Sequence, residues 1–184
     1  MIRSKIFIKR VTHSPIRAMR ISLFILVIMV TCISCKKESV NTGEKVEIYL
    51  LKTYQRVTNK CQIDPSFSIL HDTATVMNED ILEYSKSDYT FTLNEKAMQK
   101  VRAFRDFTPF AVTVDKQVIY YGFFKPSISS SSCDNSITMD IEWTTGSKIF
   151  LRLGYPGTPQ GVSIDDQRNN EKLLKTLKNQ GKLR

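Results

Sequence analysis

Hydrophobic and polar positions change rhythm several times along this chain of 184 residues. Residues 46–52 alternate loosely and read as a first strand, and residues 53–80 are less regular, with Asp64-Pro65 marking a turn. Residues 81–84 and 89–93 show the two-residue period of strands on either side of the polar stretch 85–88. Asn94 is a good helix N-cap, and Leu93 and Met98 stand at the spacing of a hydrophobic staple. Ala97, Val101 and Phe104 recur on one helical face, with Lys96, Lys100 and Arg102 largely off it. That pattern predicts a helix over about 94–106, ending before Pro109. Residues 110–114 and 118–124 flank Asp115, Lys116 and Gln117 as a hairpin, and residues 137–143 and 148–153 form a second around 144–147. A serine-rich loop, 125–133, separates the hairpins. After the Gly/Pro-rich loop 154–161, Leu173, Leu174 and Leu177 predict a helix over about 168–180 with Gly181 as its C-cap. Strands outnumber helices and no internal repeat is present. The expected fold class is α+β, a mostly antiparallel or mixed sheet packed by two helices.

The first 34 residues break this pattern. Arg3, Lys5, Lys9, Arg10, Arg17 and Arg20 precede an apolar run over 21–30. The run is shorter than the roughly 20 residues that span a bilayer, and it has the length of a signal h-region. It ends in Ile33-Ser34-Cys35, which resembles a lipobox, although Cys32 stands where leucine is commonest. The resemblance implies cleavage before Cys35 and acylation of its thiol. The alternative is an uncleaved membrane anchor with an incidental cysteine. Met19-Arg20 would open a compact signal by itself, which makes Met19 a second candidate start. The chain therefore divides into a lipoprotein signal peptide (1–34), a polar lipidated tether (35–45) and a single domain (46–184).

Charge and cysteine usage change meaning once that signal is set apart. The whole chain has 27 cations, 18 acids and a net charge of +9. The signal holds six of the cations, so the remainder is +3 and the basic character offers little for nucleic acid. Residues 168–184 keep six cations against Glu171, a run that reads as a solvated helix face and, as the alternative, as an anionic-partner site. With Cys35 acylated, Cys61 and Cys133 remain. An exported compartment permits a disulfide between them, closing 72 residues. Metal binding is the rival reading, with no nearby histidine to support it.

Residues 91–97 followed by 110–119 resemble part of the periplasmic domain of the SecD protein-export subunit, over roughly 89–124. The resemblance implies a local strand, capped helix and hairpin. It departs at the turn, where Lys116 replaces the expected glycine, and the SecD membrane helices are absent, so it implies no activity. As a whole the chain is similar to small envelope lipoproteins common in Bacteroidetes. Lys36, where inner-membrane retention would call for Asp, points that resemblance to the outer membrane, facing the periplasm or the cell surface.

Candidate chemistry is sparse. His71-Asp72 suggests acid–base work, but no nucleophile accompanies it, and an ordinary surface residue is the simpler reading. Asp165-Asp166 reads as a pair favoured by a helix N-terminus rather than as a metal or glycosidase pair. Asp140 and Glu142 share a strand face and are expected to face solvent opposite Met139, Ile141 and Trp143. Ser129 to Ser132 have no evident base. No nucleotide, zinc or calcium motif is found, so no cofactor is expected. Tyr155 and Pro156, in a loop held by rigid strands, are the candidate binding surface. The expected function is a non-catalytic binding or accessory domain for a protein or other envelope component. The alternatives are a periplasmic hydrolase using His71 and an immunity protein against a periplasmic toxin.

Overall fold

Eight strands make one mixed sheet, and two short helices lie against it. The computed structural model describes residues 43–126, 128–141 and 146–184. The signal, Cys35, most of the tether, Glu142 and Trp143 lie outside the described residues. The elements run β1 (Val46–Thr53), β2 (Ile69–Leu70), β3 (Ile81–Ser85), β4 (Thr90–Leu93), α1 (Glu95–Arg102), β5 (Thr108–Val114), β6 (Gln117–Pro126), β7 (Cys133–Ile141), β8 (Lys148–Tyr155) and α2 (Glu171–Asn179). The sheet order is β2-β1-β5-β6-β7-β8-β4-β3, an α+β fold as the alternation predicts. Neighbours are antiparallel except β6 and β7, which run parallel with Gly122 beside Ile137. Parallel neighbours normally need a crossover of a dozen or more residues; here only residues 127–132 separate the two strands.

The hairpin of β5 and β6 turns through Asp115 and Lys116, with φ of 50° and 63°. Both central residues are left-handed, as a type I′ turn requires. Lys116 accepts that conformation without a glycine, while the Asp115 carboxylate and backbone N–H bond the main chain of Lys45 on the adjacent strand end. Glu44 is also tied down, its carboxylate accepting from Thr176 and its carbonyl from Gln180. The folded domain thus includes two residues expected to belong to the tether.

Asn94 caps α1 as expected, its side chain accepting from the N–H of Ala97 at 2.8 Å. The helix stops at Arg102, four residues earlier than its apolar pattern suggests. Phe104 still packs against the core, its ring 4.9 Å from that of Phe124. The chain turns away next because Phe107 takes φ of 59° and donates its N–H to the carbonyl of Phe124. At the other end, α2 starts at Glu171 rather than near 168, with Asn170 as its cap. It closes in a Schellman arrangement: Lys182 N–H reaches Leu177 O and Gly181, at φ of 70°, reaches Lys178 O. The next residues lie along the edge of β3, exchanging backbone bonds between Tyr84 and both Lys182 and Arg184, which blunts that edge.

Both helices cover one face of the sheet. Val46, Ile48, Phe110, Val112, Phe124, Met139 and Ile149 from the strands meet Met98, Val101, Leu173 and Leu177 from the helices, all fully buried. Gly122 has a steric reason. A Cβ there would sit 2.5 Å from Cζ of Phe110 and closer still to the carbonyl of Ile137. The opposite face holds a smaller cluster around Leu51, Ile63, Ala111, Phe123 and Cys133.

Candidate functional site

The smaller face is covered by an irregular segment following β1. Within it, residues 55–64 fold back on themselves. Arg56 bridges to Ile63, Val57 N–H bonds Gln62 O, Asp64 N–H bonds Gln55 O, and Asn59 takes φ of 58° near the tip. Asp64 then caps a single 3₁₀ turn, Pro65–Phe67, by accepting from Ser66 N–H. The segment carries Cys61 onto Cys133, and a disulfide joins them with Cα atoms 5.1 Å apart. The guanidinium of Arg56 lies over the rings of Phe107 and Phe123, at 4.7 and 4.8 Å.

Beside this lid is a buried ion pair that the sequence reading missed. Lys125 is fully buried. Its ammonium meets Asp106 Oδ1 at 2.6 Å, Ser129 Oγ at 3.0 Å and Ser131 Oγ at 2.9 Å. The ring centroids of Phe107 and Tyr155 stand 3.8 and 5.0 Å away. Three donors thus find three acceptors, with aromatic faces around them, which is how a buried charge is tolerated. Both serine hydroxyls donate in turn to Asp106 Oδ2. Burial by itself would raise the Asp106 carboxyl, but hydrogen bonds from Lys125, Ser129 and Ser131 outweigh it and hold that carboxyl below its ordinary range. The serines therefore do have a neighbouring amine and carboxylate. That amine is fully engaged and the carboxylate is a weakened base, so neither is set to take a hydroxyl proton. A sequence signal existed: Lys125 continues the two-residue period of Tyr121 and Phe123 on the inward side of β6.

The other sequence candidates scatter. His71 and Asp72 are exposed, His71 donating its backbone N–H to Leu50 O. The imidazole has no hydrogen-bond or ion-pair partner among the described residues. Tyr155 ends β8 half-buried, its hydroxyl bonded to Ser129 O, while Pro156 is exposed. Asp140 is not on a solvated face as expected. It is buried, one oxygen taken by Arg152 Nε at 2.8 Å and the other without a partner among the described residues. The face opposite Met139 is simply covered there. Asp165 and Asp166 do not sit at a helix start, since α2 begins at Glu171. Asp165 accepts from Gln167, and Asp166 pairs with both guanidinium edges of Arg168. Hydrogen bonding from Arg168 lowers the Asp166 carboxyl. Arg168 itself lies 3.7 Å over the Tyr89 ring and donates to Leu151 O, which fixes the segment before α2. Among the described residues, no three His, Cys, Asp or Glu side chains converge in a metal-binding group.

A cleft of about 210 Å³ opens between the lid, the start of β7 and the segment before α2. Two bulges meet there. The register of β6 against β5 slips at Ile119, and that of β7 against β8 slips between Cys133 and Ile137. Bulges of this kind recur beside functional sites, where they break pairing and re-aim side chains. Gln62 and Asn135 both line the cleft. Each is one or two residues from a bridged cysteine, so the disulfide is the sequence feature that brings them together.

No protein-family profile, curated protein or solved structure matches the chain. Among the described residues no helix is long and apolar enough to cross a membrane.

Proposed function

We propose that the protein is an envelope-anchored lipoprotein whose domain binds a ligand or partner without catalysing a reaction. The observation that carries this reading is the Cys61–Cys133 disulfide. Such bonds form and persist in oxidising compartments, which is where the lipobox-like Ile33-Ser34-Cys35 would deliver the chain. The engaged state of Lys125, Asp106, Ser129 and Ser131 supports binding over hydrolysis, as does the solitary His71. Export and acylation at Cys35 are tested by feeding cells an alkyne palmitate analogue. The wild-type protein is expected to label and to sediment with outer membranes. Cys35→Ser is expected to lose both properties, and unchanged membrane anchoring of that variant overturns the lipoprotein reading.

A further inference from the structure

We infer that the cleft beside the disulfide is a binding site for a neutral, polyhydroxylated small molecule about the size of one sugar ring. The inference deepens the binding reading above and rests on it. Three features of the cleft lead to this ligand class.

The first is its size and rigidity. At about 210 Å³ it is smaller than the roughly 300–1,000 Å³ pockets that take drug-sized ligands. Its walls are fixed before anything binds. The disulfide ties the segment carrying Gln62 to the strand carrying Asn135, and Arg168 holds the segment that carries Asp165 and Gln167. Pre-organisation of this kind lowers the entropic cost of binding.

The second is charge. Lys60 and Asp165 are both exposed at the rim and oppose each other in sign. An anion or a cation would gain from one and lose to the other. The groups between them are amides and hydroxyls, from Gln62, Asn135 and Ser136, which both donate and accept. That mixture matches a ligand whose own groups are hydroxyls.

The third is the apolar lining. Isoleucines 63, 119, 137 and 164 supply the apolar surface between the polar groups, suited to the C–H face of a sugar.

The test is calorimetric titration of the full-length protein, in a detergent without sugar headgroups, with glucose, galactose, mannose, N-acetylglucosamine and, as a contrast, glutamine. At least one sugar is expected to bind at one site per chain, shifting the amide resonances of residues 60–65, 119–121 and 135–137. Asn135→Ala and Gln62→Ala are each expected to weaken that binding about tenfold, the worth of one hydrogen bond. Both variants should keep the wild-type thermal midpoint; a purely structural role for either amide would lower the midpoint and leave the affinity alone. Absence of saturable binding by all four sugars, binding of glutamine in their place, or wild-type affinity in both variants overturns the inference. With palmitate labelling at Cys35 intact, that result would remove the sugar site and leave the envelope assignment standing.

Discussion

The two faces of the sheet are stabilised by different means. On the helix-covered face, 22 buried residues form one cluster among the described residues, supplied by strand positions at period two and helix positions at period 3.6. On the other face the corresponding cluster has five. Its strand positions include Thr113, Lys125, Thr138 and Asp140, all buried and all polar. Its cover is a segment with little regular structure, and ordering such a segment costs roughly 1–2 kcal/mol per residue in backbone entropy. Few apolar contacts offset that cost. A disulfide, an ion pair and two stacked cations stand where helices stand on the first face. Packing holds the first face and cross-links hold the second, and the cleft opens where residues of the two meet.

Removing the disulfide should expose this difference most strongly. In the loop-entropy account, a bridge closing 72 residues contributes about 4 kcal/mol. The Cys61→Ser, Cys133→Ser double variant is expected to lose about that much in urea unfolding. The loss should be uneven. Amide exchange in residues 54–68 and 128–136 should approach that of an open loop, while β1, β5 and α2 keep their protection. Equal loss of protection on both faces would show that the faces are not separate in energy.

The buried pair is the second point of attack. Asp106→Ala leaves Lys125 buried without its counter-ion. The expected cost is about 3 kcal/mol, at the low end for a broken buried pair because Ser129 and Ser131 still accept from the ammonium. Adding Lys125→Met should recover most of it, since a well-packed apolar replacement removes the stranded charge. A double variant no better than Asp106→Ala would mean that the cluster acts through its hydroxyls. The pH dependence has a definite sign. The Asp106 carboxyl is lowered by folding, so its contribution is present above about pH 4, the unfolded value, and is lost as pH falls through the folded value. Urea midpoints should therefore fall more steeply below pH 4 in the wild type than in the double variant.

Legibility in the sequence follows the same division. The helix-covered face was readable because its signals are local: alternation in β3 to β6, the Asn94 cap, and the Gly181 terminus. The cysteine pair was readable by elimination, given the expectation of export. What failed depended on the other face. The helical pattern continued to Phe104, but Asp106 and Phe107 are drawn to Lys125 and Phe123, and that demand ends α1 early. Asp140 looked solvent-facing because alternation gives the face of a residue and not what covers it. The parallel pairing of β6 with β7 had no local sign, since so short a connection argues for antiparallel neighbours. Tyr155 drew attention as a loop aromatic, yet its hydroxyl and ring serve the serine loop and Lys125. The cleft was hidden because its residues, Gln62, Tyr120, Asn135 and Gln167, are unremarkable in sequence and meet only in the fold.

The smallest expected effect tests the helix-covered face alone. Asn94 accepts from Ala97 N–H and also donates its amide to Asp80 Oδ1 at 2.7 Å. Asp80 is itself buried and in turn accepts from Met77 N–H. Asn94→Ala loses the cap and is expected to cost about 1 kcal/mol. Asn94→Asp keeps a capping acceptor and gains from the helix dipole, but it sets a second carboxylate against the buried Asp80. If the amide bond matters beyond the cap, Asn94→Asp should be less stable than Asn94→Ala at neutral pH and should recover on acidification, as one of the two acids takes a proton. If it is as stable as wild type, the cap alone carries the effect. In both variants amide exchange in residues 54–68 should stay unchanged, because nothing at Asn94 reaches the disulfide-held lid.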